Sequence, residues 1–287
     1  MKSITINPKG FHKSQIKFYI ILVPLALFMA LPIVYIVNHA FKPLGELFAF
    51  PPKFFAVNPT LDNFTKLGQT TQTSTIALSR YIFNSLVVTL AVVTITVIIG
   101  SMAGFAISKL QFKGRTLFFE INTLSMMFVP AAVLIPRYLI IDKLHIMDTY
   151  LAHILPLLAM PVGMFLLKQF IDDVPYELIE AAVVDGAGMF KVYYKVILPL
   201  IKPAIATVCI LSFQQVWGNL ETSNMFITKE SMKTLAFFMS TLVNANNNVA
   251  GQGVAAAGGL IMFIPNIILF ILLQSKVMNT MSHSGIK

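Results

Sequence analysis

The sequence is poor in charged residues and almost free of cysteine. Charged residues make up 11% of its 287 residues and hydrophobic residues 56%, whereas soluble domains contain roughly 25% charged residues. This composition excludes an ordinary soluble domain, and the single cysteine, Cys209, excludes an internal disulfide. The long apolar runs also lack the alternation that a membrane barrel requires. We therefore predict an all-α, polytopic membrane protein.

Motifs for catalysis and cofactor binding are missing as well. The sequence has no Gly-x4-Gly-Lys-Ser/Thr loop to hold phosphates. Its histidines are scattered without metal-ligand spacing, and no Ser-His-Asp set is recognisable. We expect a protein that is not an enzyme, binds no cofactor or metal, and takes its energy from a partner or a gradient. The net charge of +9 is expected to reflect basic cytoplasmic loops rather than nucleic acid binding.

Six segments are apolar enough to cross a bilayer core of about 30 Å, which takes about 20 helical residues. They lie near residues 18–39, 82–107, 117–141, 150–168, 203–223 and 255–278. The first is too long for the apolar region of a cleaved signal peptide, so we expect it to remain as a span. Residues 1–17 then form a cytoplasmic tail, and residues 18–287 form one transmembrane domain of six helices.

Basic residues predict the orientation of these spans. The tail carries four lysines and no acid, and residues 109–115 carry three further basic residues. Because basic loops stay on the cytoplasmic side of a membrane, we expect both termini and residues 170–202 to lie in the cytoplasm. The loops 42–80 and 224–252 then face outwards.

Residues 170–202, called the coupling segment below, combine acidic, small and helix-breaking residues. Asp172-Asp173-Val174-Pro175 predicts a helix start with an acidic cap, and the helix should run over residues 176–184. Within it Glu177 and Glu180 are one turn apart and share a face.

The coupling segment is expected to contain a second short helix. Gly186 and Gly188 should end the first helix, because glycine readily takes the left-handed conformation found at helix ends. A second amphipathic stretch over residues 190–197 should then stop at Pro199. Two short helices joined by a glycine turn favour a docking element for a soluble partner.

Polar side chains within the spans are candidates for a transport path, since such groups are costly in lipid and tend to face a cavity or a packed interior. They are Ser212, Gln214, Gln215, Trp217 and Asn219 in the fifth span and Asn122 and Ser125 in the third. Amides and hydroxyls suit sugar hydroxyls, and an aromatic face can stack on a sugar ring. The alternative is hydrogen bonding between helices, with the tryptophan at the outer interface.

Two groups of residues are expected on the outer side. The asparagine group is either a contact for an external binding protein or a flexible linker; its members are Asn244, Asn246, Asn247 and Asn248. The charged group is expected to form a solvated rim; its members are Arg137, Asp142, Lys143 and Asp148.

The spacing within the coupling segment resembles the cytoplasmic signature of the permeases of ATP-binding-cassette (ABC) importers. Glu180-Ala181-Ala182 is followed by three residues, Gly186, nine residues and then Val196-x-Leu198-Pro199. The one departure is Val196, where the family usually has isoleucine. Other stretches are similar to carbohydrate-importer permeases of the maltose type, and in particular to the six-span, MalG-like subunit. They are Phe41-Lys42-Pro43, Phe50-Pro51-Pro52, Leu61-Asp62-Asn63-Phe64, Asn84-Ser85-Leu86, Trp217-Gly218-Asn219 and Ser284-Gly285-Ile286-Lys287.

The resemblance implies a bacterial cell-membrane protein with several partners. These are a second, MalF-like permease, two ATPase subunits that hold ATP and Mg²⁺, an extracellular solute-binding lipoprotein, and a sugar or oligosaccharide as cargo. Glu180 would face basic residues of an ATPase cleft, Ala181 and Ala182 would allow close seating, and Gly186 would set the angle between the short helices. The residues assigned to ATPase coupling in this way are Glu177, Glu180, Ala181, Ala182, Asp185, Gly186, Ala187, Leu198 and Pro199.

Two other functions remain open. An ABC importer of amino acids, phosphate or peptides would share the coupling signature. A secondary transporter would use no ATP, and it should carry ionisable residues near mid-span to couple ions. The centres of the predicted spans are almost free of such residues.

Overall fold

The computed structural model describes residues 15–73, 76–245 and 249–284. No strand occurs within those ranges, which confirms the all-α prediction. The helical elements are Ile16–Phe41, Leu44–Leu47, Asp62–Thr73, Leu78–Lys109, Arg115–Ser125, Pro130–Val133, Leu134–Lys143, Tyr150–Leu158, Pro161–Asp172, Tyr176–Val184, Met189–Val192, Tyr193–Ile197, Leu198–Leu200, Lys202–Trp217, Glu221–Phe226, Glu230–Met232, Leu235–Ala245 and Val249–Ser284.

Three of the six predicted spans are continuous helices that are long and apolar enough to cross a membrane. They contain the apolar stretches Ile16–Phe41, Leu78–Lys109 and Gly251–Gln274. Two others are pairs of helices bent at a short break, Arg115–Ser125 with Pro130–Lys143 by 109° and Tyr150–Leu158 with Pro161–Asp172 by 48°. The fifth contains the helix Lys202–Trp217, which follows Met189–Leu200 of the coupling segment after a bend of 79°. Six spans result if each bent pair crosses the membrane once.

The third and fifth spans differ most from the continuous bounds predicted for them. Over 117–141, the helix Arg115–Ser125 stops, and the next helical element begins at Pro130 with a bend of 109°. Proline lacks an N–H and clashes with the preceding turn, so it begins a helix here rather than continuing one. The fifth helix, expected over 203–223, already ends at Trp217. A separate short helix, Glu221–Phe226, follows it, and Asn219 Oδ1 accepts the N–H of Thr222 in the first turn of that helix at 3.0 Å.

The structure divides into two compact units. The described residues of the first lie in 15–67 and 249–260, and those of the second in 68–73, 76–245 and 261–284. In the second unit, the helix Leu78–Lys109 packs against Pro161–Asp172 and Lys202–Trp217. Gly104 permits this close approach, because a Cβ there would lie 3.3 Å from the backbone nitrogen of Lys168.

In the first unit, a buried amide holds the end of the first span. Asn63 Nδ2 donates to the carbonyls of Ala40 at 3.0 Å and of Lys42 at 2.8 Å. These carbonyls belong to the helix terminus, where backbone acceptors lack partners within the helix. Gly253 packs directly on this amide, since a Cβ there would lie 2.6 Å from Asn63 Oδ1.

Replacing Gly253 with alanine should therefore destabilise the protein. The added methyl group would displace the Asn63 amide from its buried carbonyl partners, at a cost of about 1–3 kcal/mol. Gly45→Ala is the matched control, because a Cβ at Gly45 meets no atom within 4 Å. We expect a lower thermal midpoint in detergent for Gly253→Ala and an unchanged one for Gly45→Ala. Equal midpoints for the two variants would contradict this packing.

Candidate functional site

The first helix of the coupling segment spans Tyr176–Val184, as predicted, and is called the Glu180 helix below. Its start differs from the predicted acidic cap. Pro175 occupies the cap position, and no side chain caps the helix. Asp172 instead ends the preceding helix, where its carboxylate accepts from the Ser108 hydroxyl and pairs with the Lys168 ammonium. The acid is used to join two spans rather than to start the short helix.

Gly186 ends the Glu180 helix in a left-handed conformation with φ +76°. Two hydrogen bonds close this end, from Gly186 N to Val183 O and from Ala187 N to Ala182 O, both at 2.9 Å. This pair of bonds defines a Schellman motif, in which glycine is the preferred residue. The predicted glycine stop is confirmed at Gly186. Gly188 has an ordinary extended conformation and caps the following helix.

The two faces of the Glu180 helix have different surroundings. Ile179 is buried, and Ala182 packs beside it against a cluster that contains Val192 and Ile197. The opposite face is exposed and carries Glu177, Glu180, Ala181 and Val184. Only Ala181 of the alanine pair therefore lies on the exposed face; Ala182 and Ala187 help to hold the helix in place.

The second helix of the coupling segment runs from Met189 to Leu200 and passes through Pro199. It contains a π-helical stretch over Tyr193–Ile197, in which Leu198 N donates to Tyr193 O, five residues earlier. A proline in a helix removes one backbone donor and crowds the preceding turn, and a π-bulge is one way to accommodate this. The helix does not stop at Pro199 as predicted but one residue later, before a bend of 79° into Lys202–Trp217.

Polar contacts fasten the coupling segment to the second span. Ser101 Oγ donates to Val97 O at 2.6 Å, which leaves its oxygen to accept from the Tyr193 hydroxyl at 2.7 Å. Lys109 Nζ donates to Val174 O at 2.6 Å, just before the Glu180 helix begins. The coupling segment is thus bonded to the span Leu78–Lys109 on both sides of the Glu180 helix, before it at Val174 and after it at Tyr193.

The exposed side of the coupling segment combines acid and apolar groups. Val184 is 86% exposed and Phe190 73% exposed. Neither Glu180 nor Asp185 forms an ion pair with any residue in the described part of the chain. Exposed apolar patches with polar residues around them mark sites that bind another protein or a membrane.

Three of the residues predicted for the transport path line one cavity, called the polar cavity below. They are Ser125, Gln215 and Asn219, and the cavity has a volume of about 630 Å³. Asn122 lines a neighbouring cavity of about 440 Å³, where Ser125 also lies, and its amide donates to Pro161 O at 3.2 Å. The third and fifth spans thus both contribute residues to the polar cavity.

The remaining path candidates lie elsewhere. Trp217 is 4% exposed, and its Nε1 donates to Met262 O at 2.9 Å while its ring stacks on Phe213. This is the bonding between helices that was the alternative interpretation, although the tryptophan is buried rather than at an interface. Ser212 is buried in the packing, and Gln214 is exposed without lining the polar cavity.

An ion pair in the polar cavity was not predicted. Arg137, expected on a solvated rim, instead pairs with Glu221, and the two side chains are 26% and 27% exposed. The partners are 84 residues apart in the chain, so sequence alone gives no signal of the contact. Asp142 and Lys143 are exposed, in agreement with the rim prediction.

In the connection before the fourth span, which is predicted to face outwards, Asp148 bonds to the backbone of another loop. It accepts hydrogen bonds from Thr228 N at 2.6 Å and Lys229 N at 3.0 Å. The hydrogen bond from the Thr228 hydroxyl is the main cause of the lowered pKa of Asp148. Of the asparagine group, Asn244 is exposed near the end of Leu235–Ala245. The other members, Asn246, Asn247 and Asn248, lie outside the described residues.

Nearly the whole chain matches one known protein family. Residues 19–275 match the family described as binding-protein-dependent transport system inner membrane component. The chain belongs to this family. Permeases of this family are the membrane components of transport systems. The matched residues include the whole coupling segment and all helices between the first and the last, which extend beyond the match at Ile16 and Ser284.

Relatives with known names cover most of this permease. The arabinooligosaccharide transport system permease protein AraQ of Halalkalibacterium halodurans is 27% identical over 92% of this chain and 93% of its own. The trehalose transport system permease protein SugB of Mycobacterium tuberculosis is 26% identical over 90% and 92%. The melibiose/raffinose/stachyose import permease protein MelC of Bacillus subtilis is 28% identical over 74% and 77%.

The fold of this permease also matches solved structures. A chain of a bacterial ABC transporter that imports the acidic polysaccharide alginate superposes with a TM-score of 0.78 over 94% of this chain and 99% of its own, at 22% identity. A chain of a bacterial alginate transporter in complex with its pentasaccharide-bound periplasmic protein gives 0.58 over 91% and 93%, at 17% identity. The permease therefore has the fold of an ABC importer permease.

Proposed function

We propose that this chain is one membrane subunit of an ATP-driven importer of sugars or oligosaccharides in a bacterial cell membrane. The observation that carries the proposal is the Glu180 helix. It is closed by a Schellman motif, packs through Ile179 and Ala182 on a cluster that includes Tyr193, and exposes carboxylates and apolar side chains on its opposite face. Tyr193 in turn is bonded to the second span. Such an arrangement suits a helix that a bound partner displaces as a rigid unit.

The mechanism follows from this rigidity. A partner ATPase with a basic cleft binds the face that carries Glu177, Glu180 and Ala181, and Ala181 allows close seating there. When ATP closes the ATPase pair, the helix is displaced as a unit. Because Tyr193 and the carbonyl of Val174 are bonded to the span Leu78–Lys109, the displacement rocks the membrane helices and opens the path to alternate sides.

ATP hydrolysis takes place on the partner subunits. The two ATPase subunits hold ATP and Mg²⁺, and this chain is not an enzyme and binds no cofactor. A second, MalF-like permease completes the path, and an external binding lipoprotein delivers the sugar. Both termini and the coupling segment lie in the cytoplasm. A sugar as cargo is supported by three named relatives, which serve arabinooligosaccharides, trehalose and the raffinose group.

Uptake into vesicles tests this proposal. Vesicles would contain the complete transporter purified from its native cell, with ATP enclosed or omitted, the binding protein outside, and tritiated arabinotriose, raffinose or trehalose as probes. We expect uptake of at least one probe, which requires both ATP and the binding protein and persists when ionophores collapse ion gradients. Uptake without ATP that the ionophores abolish would establish a secondary transporter instead. ATP-dependent uptake of a non-sugar solute alone would keep the importer and overturn the cargo.

A further inference from the structure

The polar cavity has the size of a small-ligand pocket. Its volume of about 630 Å³ lies within the range of roughly 300–1,000 Å³ that is common for such pockets. Its polar groups come from separate helices that meet there: Ser125 from the third span, Arg137 from Leu134–Lys143, and Gln215 and Glu221 from either side of the Trp217 helix end. A hollow formed where several helices end is accessible without unfolding any of them.

The charges in the polar cavity cancel. Among the described residues that line it, Arg137 and Glu221 are the only charged ones, and they form an ion pair. Each keeps bonding capacity, because a guanidinium has five N–H donors and a carboxylate has two acceptor oxygens. The contact between them joins one nitrogen, Nη1, to one oxygen, Oε1. The pair therefore offers both donors and acceptors without a net charge.

The amides add further bonding groups of both kinds. Asn219 Oδ1 accepts from the backbone N–H of Thr222 at 3.0 Å and from its hydroxyl at 2.9 Å. These bonds fix the amide, and its nitrogen keeps two N–H donors. The side chain of Gln215 is exposed and forms no hydrogen bond with any group in the described ranges. Its amide nitrogen and its amide oxygen are therefore both free to bond a ligand.

The remaining wall of the polar cavity is apolar. It includes Pro156, Leu157, Met160 and Pro161, which lie at the break between the helices Tyr150–Leu158 and Pro161–Asp172. Apolar surface beside a few polar groups suits a saccharide, whose rings have C–H faces and hydroxyl edges. The same composition is common in ligand pockets generally.

We infer that the polar cavity is a saccharide-binding site of this subunit itself, and that it selects neutral over acidic saccharides; the inference rests on the proposed function. A hydroxyl both donates and accepts, so it matches a set that mixes donors and acceptors. A carboxylate only accepts, and anions are usually held by unpaired or bidentate arginine. Here Glu221 occupies that arginine and would repel an anion.

Direct binding tests the site separately from delivery by the binding protein. The complete transporter would be purified without its binding protein, and the dissociation constants of tritiated arabinotriose, raffinose and trehalose measured by equilibrium dialysis. Gln215→Ala should raise the dissociation constant of the sugar about three- to tenfold, as expected for the loss of one hydrogen bond. Gln214→Ala is the matched control. Gln214 is next to Gln215 in the chain and is also exposed, but it does not line the cavity. The dissociation constant of the sugar for this variant should equal that for the unmodified protein.

A second variant tests the selection against charge. Glu221→Gln leaves Arg137 without its acidic partner. The concentration of an alginate trisaccharide that displaces half of the bound neutral sugar should therefore be at least tenfold lower than for the unmodified transporter. Equal dissociation constants for Gln215→Ala and Gln214→Ala, no sugar binding at all, or tight binding of the alginate trisaccharide by the unmodified transporter would each overturn the inference. In all three cases the vesicle assay would still show ATP-dependent sugar uptake if the protein is a sugar importer. The vesicle assay therefore tests the proposed function independently of the cavity.

Discussion

Replacing Glu180 with lysine is expected to abolish transport while the subunit still folds and inserts into the membrane. Glu180 is exposed and forms no ion pair within the described residues, so the fold loses nothing by its replacement. In a basic cleft of an ATPase, however, the change replaces attraction by repulsion. We expect a loss of about 3 kcal/mol or more of binding free energy, or about a hundredfold in affinity. Sugar uptake and the amount of ATPase recovered with the tagged subunit measure this.

Two further variants make the Glu180→Lys result specific. Glu180→Gln removes the charge without reversing it and should retain partial transport. Asp142→Lys reverses another exposed carboxylate, at the end of Leu134–Lys143, and should transport normally. Full transport by Glu180→Lys, or an equal loss in Asp142→Lys, would show that the exposed face of the Glu180 helix is not where the ATPase acts.

The second large effect is expected at Gly186, where valine should reduce transport at least tenfold. A left-handed conformation costs a residue with a side chain about 1–2 kcal/mol, and a β-branched residue is a genuine outlier there. A Cβ at Gly186 meets no atom within 4 Å, so the effect comes from the backbone alone. If the turn rearranges, the two hydrogen bonds of the Schellman motif are lost, and the Glu180 helix is no longer fixed in direction.

Gly186→Asn is the matched variant, because asparagine tolerates the left-handed conformation; it should restore most of the transport that valine removes. Gly188→Ser should be harmless, since Gly188 has φ −70° and serine is a good helix cap. Uptake rates at equal subunit levels in the membrane decide between these outcomes. Similar rates for Gly186→Val and Gly188→Ser would mean that the turn does not control coupling.

The class of fold and the coupling segment could be predicted because each depends on local patterns. A run of about twenty apolar residues indicates a span without reference to the rest of the chain, and the left-handed conformation that ends the Glu180 helix is one that glycine adopts readily. The bends were less predictable. The prolines that cause them were visible, but whether a proline sits inside a helix, as Pro156 does, or begins a new one, as Pro161 does, depends on neighbouring helices.

The polar cavity could be predicted only in part, since it depends on contacts between distant residues. Polarity within a span identified Gln215 and Asn219, but it also identified Trp217, whose N–H bonds a carbonyl on another helix. Arg137 was placed on a solvated rim because its partner, Glu221, lies 84 residues away and outside any local pattern. Which face of a helix borders a hollow is decided by tertiary packing, and no periodicity within a single span contains that information.

The proposed function requires that an ATPase bound to the coupling segment drives this permease. The most direct test is affinity purification of the tagged subunit from its native cell in a mild detergent, followed by identification of the co-purifying chains. We predict recovery of an ATP-binding-cassette ATPase and a second permease in fixed proportion to the tagged subunit. A subunit that purifies alone or as a homo-oligomer would contradict the claim and would make a gradient-driven carrier the better account.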